Sequence, residues 1–486
     1  MLFVVRFFPE ITIKTRPVRH RLIKMLKRNL KILLGRVDAG ISVTGDWDLL
    51  EVESAPDDKN LARQVLKILL STPGIALVSC VEKLPLPDFE GIVAAVLPHY
   101  RQQLRGRTFA VRCKRQGTHA FISGDVERHV GASLLAATQS AGVNLENPEV
   151  TVRIEIRQQT LYVVSARHRG LGGYPLGSQE PVLALLSGGF DSAVASYHCM
   201  RRGLQTHYVF FNLGGRDHEI AVKEIALYLW MQYGASHRVK FVSVPFEGVV
   251  QEILSKVNSG LMAVVLKRMM LRAAEQVARD MRIAALVSGD SIAQVASQTL
   301  PNLAMIDRVT DLLVLRPLIV TDKQQIIDVA RRLGVAEMAA AIPEYCGVIS
   351  VKPTTHARLE RVEEQEQAID FSVLDEAFEQ RETQMIDRVV EVLDHRDVEP
   401  EQFTEAPSGA VVLDIRHPDE REGKPLTVHG CEIQSLPFYQ LTARFRDMDA
   451  ARHYLLYCDK GLMSRLHASH LKDSGHKNVG VYRPIQ

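Results

Sequence analysis

Apolar residues recur at helical spacing through Val18, Leu22, Ile23, Leu26, Leu30 and Leu33, with basic residues filling the other face. That period predicts an amphipathic helix over 17–34. Short apolar runs at 2–8 and 11–14 predict extended pieces, alternation at 40–53 a further one, and the pattern at 58–70 a helix. Together they describe a small α+β unit. A second such unit is predicted at 75–167, with helices at 89–104 and 124–140 and strands at 108–114, 150–155 and 160–166. The turn formers from Gly170 to Gly177 predict a linker. After it the rhythm changes. Apolar strands at 182–186, 207–211, 239–244, 284–288 and 312–318 alternate with helical stretches, the pattern of a parallel sheet. A polar helical segment is expected at 357–394. Pro400 and the run Pro407-Ser408-Gly409 then mark a boundary. The last stretch alternates again, with strands at 410–415, 453–457 and 478–482 and a helix at 464–474.

A chain of 486 residues is too long for one core and implies several domains. Its hydrophobic share of 46% and charged share of 24% are those of a globular protein. No apolar run is long enough to span a bilayer. The start, Met1 to Glu10, carries no basic residue before its apolar run and reads as a buried strand rather than a signal peptide. The expectation is a cytoplasmic protein with no membrane partner. Six cysteines include no CxxC pair, which argues against a zinc site. The net charge of +2 conceals an asymmetry. Residues 1–36 hold ten Lys/Arg and one acidic residue, and residues 101–130 hold seven and two. Residues 357–405 hold five Arg and sixteen Asp/Glu. A basic front suits a nucleic-acid backbone; the acidic stretch reads as solvated helix faces.

The first concentrated chemistry is Ser187-Gly188-Gly189-Phe190-Asp191-Ser192, which follows the strand Leu183-Ala184-Leu185-Leu186 and precedes a helical stretch. Gly188 and Gly189 allow backbone angles that let N–H groups converge on an anion at a helix N-terminus. Ser187 and Ser192 add hydroxyls, and Asp191 is placed to help hold Mg²⁺ beside a polyphosphate. The loop lacks GxxxxGK[ST]. It resembles the pyrophosphatase-type (PP-loop) motif of ATP-adenylating enzymes, which implies cleavage of ATP between its α- and β-phosphates.

The second is Cys458, at the end of the strand Leu455-Leu456-Tyr457 and before Asp459-Lys460-Gly461 and a helix. Backbone N–H groups, the helix dipole, Lys460 and Arg465 would favour an anionic sulfur there. A buried structural cysteine is the alternative reading. With Asp414 and Arg416 upstream as structural support, this segment resembles a rhodanese domain, in which the matching cysteine carries transferable sulfur.

With both motifs, the whole chain resembles the tRNA uracil 4-sulfurtransferases, or tRNA 4-thiouridine synthetases, of the ThiI family. The strings that carry the resemblance are Phe7-Phe8-Pro9-Glu10-Ile11, Ser187 to Ser192, Phe211 to Gly215, Leu266 to Met270, Pro343 to Val348 and Cys458 to Leu466. The resemblance implies an α/β multidomain protein of four parts. They are an N-terminal α+β ferredoxin-like domain at 1–62, a THUMP RNA-binding domain at 63–167, a parallel-sheet adenylating PP-loop domain at 176–395 and an α/β rhodanese domain at 406–486. It also implies nucleotide contacts at Leu185, Leu186, Lys267, Gly289 and Gln298 beside the loop, with Lys323 near the site. The family commonly has Gly-Glu where this chain has Gly289-Asp290, and a glycine where it has Ala293.

The implied reaction adenylates O4 of a tRNA uridine with ATP. A cysteine desulfurase loads Cys458 with a persulfide, and the sulfur replaces AMP, directly or as hydrosulfide. Cys346 is the implied disulfide partner of Cys458, with a thiol reductant to reopen the bond. The family also supplies sulfur for thiamine thiazole. Two other classes stay open on the sequence: another PP-loop RNA-modifying enzyme, and a non-enzymatic RNA-binding protein.

Overall fold

The computed structural model describes the chain except residues 56–57, 214, 343–352, 390–399, 417–420, 422–423, 429, 438–440, 442–443, 460, 474 and 485–486. The described residues divide into two compact units, Met1–Ser178 and Gln179–Gln486.

In the first unit, eight described strands form one sheet. Strand Ile75–Pro85 lies at its centre, antiparallel to Leu2–Phe7 on one side and to Thr160–Gly172 on the other. Both predicted α+β segments are therefore built on the same sheet. Helices Arg16–Gly35 and Lys59–Leu70 cover one part of it, burying Leu22, Ile23, Leu26, Leu30 and Leu34. Arg21, Lys24, Arg28 and Lys31 stay exposed on the opposite face of the first helix, as its period requires. Helices Phe89–Tyr100 and Ser123–Ala137 cover the other part.

Two expectations change here. Residues 11–14 are not extended. Pro9–Thr12 forms a single helical turn with proline at its start, and this turn buries Ile11. The expected linker also begins later, because strand Thr160–Gly172 runs into it. Gly170 lies against Ile75, where a Cβ would meet the Ile75 carbonyl oxygen at 2.4 Å. This glycine serves close backbone approach rather than a turn.

The second unit holds a six-stranded sheet and a five-stranded sheet among the described residues. The first has the order Leu313–Leu315, Ala285–Val287, Gln179–Leu185, Leu204–Asn212, Lys240–Pro245, Glu382–Met385. Its first five strands are parallel, as the alternation predicts, and Glu382–Met385 joins the edge antiparallel. The segment 357–394 is thus not one helical stretch: Leu359–Gln367 and Ser372–Glu379 are helices, followed by that strand. Within it, Glu366 is buried against Arg268, accepting from Nε at 2.6 Å and Nη2 at 2.8 Å, so one acid of the solvated face pins the helix to Met262–Asp280. From Gln179–Leu185 the chain winds outward through two further strands on one side. It then returns to place Ala285–Val287 on the other. This reversal opens a crevice at the C-terminal ends of the two central strands, where such sheets bind ligands.

The five-stranded sheet is all parallel, in the order Gln402–Phe403, Val479–Tyr482, Tyr454–Tyr457, Val411–Asp414, Glu432–Ser435. The three predicted strands form its buried centre. The sequence pattern did not indicate Gln402–Phe403 or Glu432–Ser435, which are edge strands, short and largely polar. Among the described residues no helix is long and apolar enough to cross a membrane.

Candidate active site

The strand Gln179–Leu185 delivers the loop 187–192 to the crevice, and helix Phe190–Arg201 leaves it. Gly188 has φ +85°, and a Cβ there would meet Ile342 Cδ1 at 2.5 Å. Only glycine fits both the angle and the space. Inside the loop, the Ser187 N–H donates to Ser192 Oγ at 3.2 Å, and Ser192 Oγ donates to the Gly189 carbonyl at 3.1 Å. His218 Nε2 donates to the Ser187 carbonyl at 3.3 Å. Burial pushes the His218 imidazole below its ordinary range.

Asp191, in the first turn of the helix, accepts from Lys323 Nζ at 2.9 and 3.0 Å and from Gln294 Nε2 at 2.9 Å. Facing it from the neighbouring strand end is a second polar group. Asp290 accepts from Lys267 Nζ at 2.7 Å, Ser288 Oγ at 2.6 Å, Gln298 Nε2 at 3.1 Å and Arg316 Nε at 3.2 Å. Burial pushes the Asp290 carboxyl up, but Lys267, Ser288 and Arg316 outweigh it and hold the group well below the usual carboxylate range. The aspartate is therefore an anion that fixes the two predicted nucleotide-contact residues Lys267 and Gln298. Gly289 packs on the loop itself: a Cβ there would lie 2.7 Å from the Asp191 carbonyl carbon and the Ser192 nitrogen. Ala293, where the family has glycine, sits in the left-handed region at φ +62°, a conformation that favours glycine.

Both carboxylates and the side chains that hold them border one cavity of about 690 Å³. Leu185, Leu186, Ser187, Gly189, Asp191, Ser192, Lys267, Gly289 and Gln298 line it, and so does Lys323. Gly188 supports the loop from behind. Arg316 and His218 also line the cavity and carry no motif signal. Arg316 follows the last residue of strand Leu313–Leu315, and the strand-end rule is the only sequence clue that points to it.

The thiol of Cys458 lies in the five-stranded part and does not line this cavity. It follows the central strand Tyr454–Tyr457 and precedes helix Leu462–Asp473. Its sulfur accepts from the Ser464 N–H at 3.3 Å and contacts Ser464 Oγ at 3.4 Å. Gly461, at φ +70°, makes the turn between them. Arg416, almost wholly buried, donates to both oxygens of Asp414 and to Asp459 at 3.0 Å, which fixes the residue beside the cysteine. Cys346, the string Pro343 to Val348 and Lys460 lie outside the described residues. Burial pushes the Cys199 thiol up to about 12 and the Cys113 thiol to about 11, which leaves both protonated and inert.

Comparison with known proteins places this geometry. The family described as thiamine biosynthesis protein (ThiI) matches residues 177–371, and the THUMP domain family matches residues 87–165. The tRNA sulfurtransferase of Pseudomonas putida is 53% identical over the full length of both chains. That of Pseudomonas aeruginosa is 55% identical, again over the full length of both. A crystal structure of a 4-thiouridine synthetase in complex with RNA and bound ATP aligns with a TM-score of 0.68 and 26% identity, covering 79% of this chain and 99% of that one.

Proposed function

Because the chain belongs to the tRNA sulfurtransferase family and so catalyses ATP-dependent thiolation of tRNA, we propose that it makes 4-thiouridine by adenylating a uridine at the 187–192 loop and displacing AMP with sulfur carried on Cys458. The observation that carries this reading is the convergence of two cation–carboxylate groups, Lys323 with Asp191 and Lys267 with Asp290, on a glycine loop at a helix N-terminus. That combination suits a polyphosphate: backbone N–H groups and two ammonium groups meet its charge. The Asp191 carboxylate fits Mg²⁺, which is commonly held by one or two carboxylates plus phosphate oxygens. The ion would screen the triphosphate, with Asp191 as its protein ligand and Lys323 shared between carboxylate and phosphate.

In the proposed sequence, uridine O4 attacks the α-phosphorus and pyrophosphate leaves. The terminal sulfur of a Cys458 persulfide, loaded by a cysteine desulfurase, then bonds to C4 as AMP departs with the oxygen. The sulfur–sulfur bond to Cys458 is broken by a second thiol, which we assign to Cys346. The resulting disulfide is reopened by a thiol reductant. Ser464 supports the carrier role, since its N–H and hydroxyl are placed to stabilise negative charge on sulfur. The C-terminal part would then be a rhodanese-type carrier, working in the cytoplasm. Incubation with tRNA, ATP and a persulfide donor is expected to yield thiouridine with AMP and pyrophosphate in equal amounts. Release of ADP and phosphate instead would rule out adenylation.

RNA binding belongs in this reading to the first unit, which carries the basic stretches and the THUMP match. A deletion should end at Ser178, because a cut at 167 would divide strand Thr160–Gly172. Removing 1–178 is expected to abolish most tRNA affinity. The full chain should bind more weakly as salt rises, through counterion release. Equal affinity and salt slope for the truncated protein would place RNA recognition elsewhere.

A further inference from the structure

One buried polar contact links the six-stranded sheet's helices to the five-stranded part, and the mechanism above does not use it. His467 Nε2 lies 3.1 Å from Glu224 Oε1. The two residues are only 1% and 8% exposed, so the contact is closed to water. The next residue, Lys223, is also buried but is paired with Glu219 at 2.6 Å on its own helix. Glu224 therefore faces an imidazole from a distant part of the chain rather than its neighbouring ammonium.

The two helices that meet here are those that begin at the two chemical sites. Helix Gly215–Leu229 carries His218, which holds the Ser187 carbonyl and lines the nucleotide cavity. Glu224 lies six residues further along that helix, about 9 Å at 1.5 Å per residue. Helix Leu462–Asp473 carries Ser464, which holds the Cys458 sulfur, and His467 is one turn beyond it. Burial pushes the Glu224 carboxyl well up, toward its neutral form. A buried polar contact is poor glue compared with an apolar contact of the same size, but it fixes which surfaces meet and in what register. It suits a contact that must hold two parts in place and still come apart.

We propose that Glu224 and His467 form a docking contact that holds the sulfur-bearing C-terminal part against the adenylating sheet, keeping Cys458 at high effective concentration near the nucleotide cavity. This rests on the sulfur-carrier reading of Cys458. Tethering of this kind speeds transfer without any new contact to substrate. The contact is reciprocal, since each partner secures the other's helix.

The test uses the full chain with Glu224→Gln and His467→Gln. Hydrogen exchange is measured over both helices. Glu224→Gln is expected to speed exchange in 462–473, and His467→Gln in 215–229, each by about tenfold. In single turnover from protein preloaded with persulfide on Cys458, either variant should make thiouridine about tenfold more slowly. With inorganic sulfide supplied instead, which needs no docked carrier, both should match the unmodified chain. If Glu224→Gln fails to fold, Glu224→Leu, which removes the buried carboxyl altogether, serves in its place. Exchange that rises only in the helix carrying the substitution overturns the proposal. So does an equal loss in both sulfur assays, or faster transfer from the preloaded protein. Failure of the unmodified preloaded chain to make thiouridine would overturn the carrier reading instead, and the exchange data would still decide whether the contact exists.

Discussion

Asp191→Ala is expected to cut tRNA adenylation by about a hundredfold to a thousandfold, the range for losing one preorganised charged group at a reacting centre. The same protein should still accept a persulfide on Cys458. Asp191 binds Lys323 through both carboxylate oxygens and also holds Gln294. Alanine therefore removes the proposed magnesium ligand and also frees the ammonium and amide that the carboxylate orients. Asp191→Asn keeps the shape and loses the charge, so it should recover little activity if charge is what matters. Cys458 follows a strand of a different sheet, where the Ser464 N–H holds its sulfur, and effects at separate sites are close to additive. Two readouts decide the matter: AMP release in the presence of tRNA, and the mass added by one sulfur on the Cys458 peptide. Normal AMP release would remove the loop from the chemistry. Loss of both functions together would mean that the substitution had unfolded the protein.

The parts of the site that were legible in the sequence are those where backbone geometry forces residue identity over a short span. Gly188 must adopt φ +85° against Ile342, and the strand–loop–helix order around it follows from local periodicity. Cys458 was legible for the same reason, with Gly461 at φ +70° turning the chain into a helix. What local pattern does not show is assembled from distance. Gln294 and Lys323, the latter expected near the site from the family resemblance alone, reach Asp191 from more than a hundred residues away, and Arg316 joins Asp290 and Asp307 from just beyond a strand only three residues long. No spacing rule connects such groups; the sheet's order of strands does. Asp290 shows the same limit. Its carboxylate is shorter than the family's usual glutamate, yet its burial among Lys267, Gln298 and Arg316 is a property of packing. The fold was legible where strands are buried on both faces and illegible at edges such as Glu382–Met385 and Glu432–Ser435, which pair through their backbones and carry polar side chains.

Cys458→Ser is expected to reduce persulfide-driven thiouridine formation to background while AMP release with tRNA continues. The hydroxyl keeps the size of the thiol and its bond from the Ser464 N–H, so the helix start should survive the change. It cannot form a sulfur–sulfur bond, so the carrier step alone is lost. The thiols of Cys199 and Cys113 cannot take over, since desolvation holds both protonated. Chemistry then requires a second thiol. After the terminal sulfur bonds to carbon, the remaining bond to Cys458 sulfur is cleaved by a thiol, and the product is a disulfide. Cys346 belongs to the family string Pro343 to Val348 in the adenylating part, and its assignment is a proposal from that position. A disulfide needs Cα atoms within about 7 Å, so Cys346 and Cys458 must come together during turnover. Single turnover without reductant, followed by peptide mapping, should therefore recover a 346–458 link. Cys346→Ala should load persulfide on Cys458 and stop before catalytic turnover. Normal multiple turnover by Cys346→Ala, with no such link in the unmodified protein, would transfer the cleaving role to another thiol, including that of an added reductant.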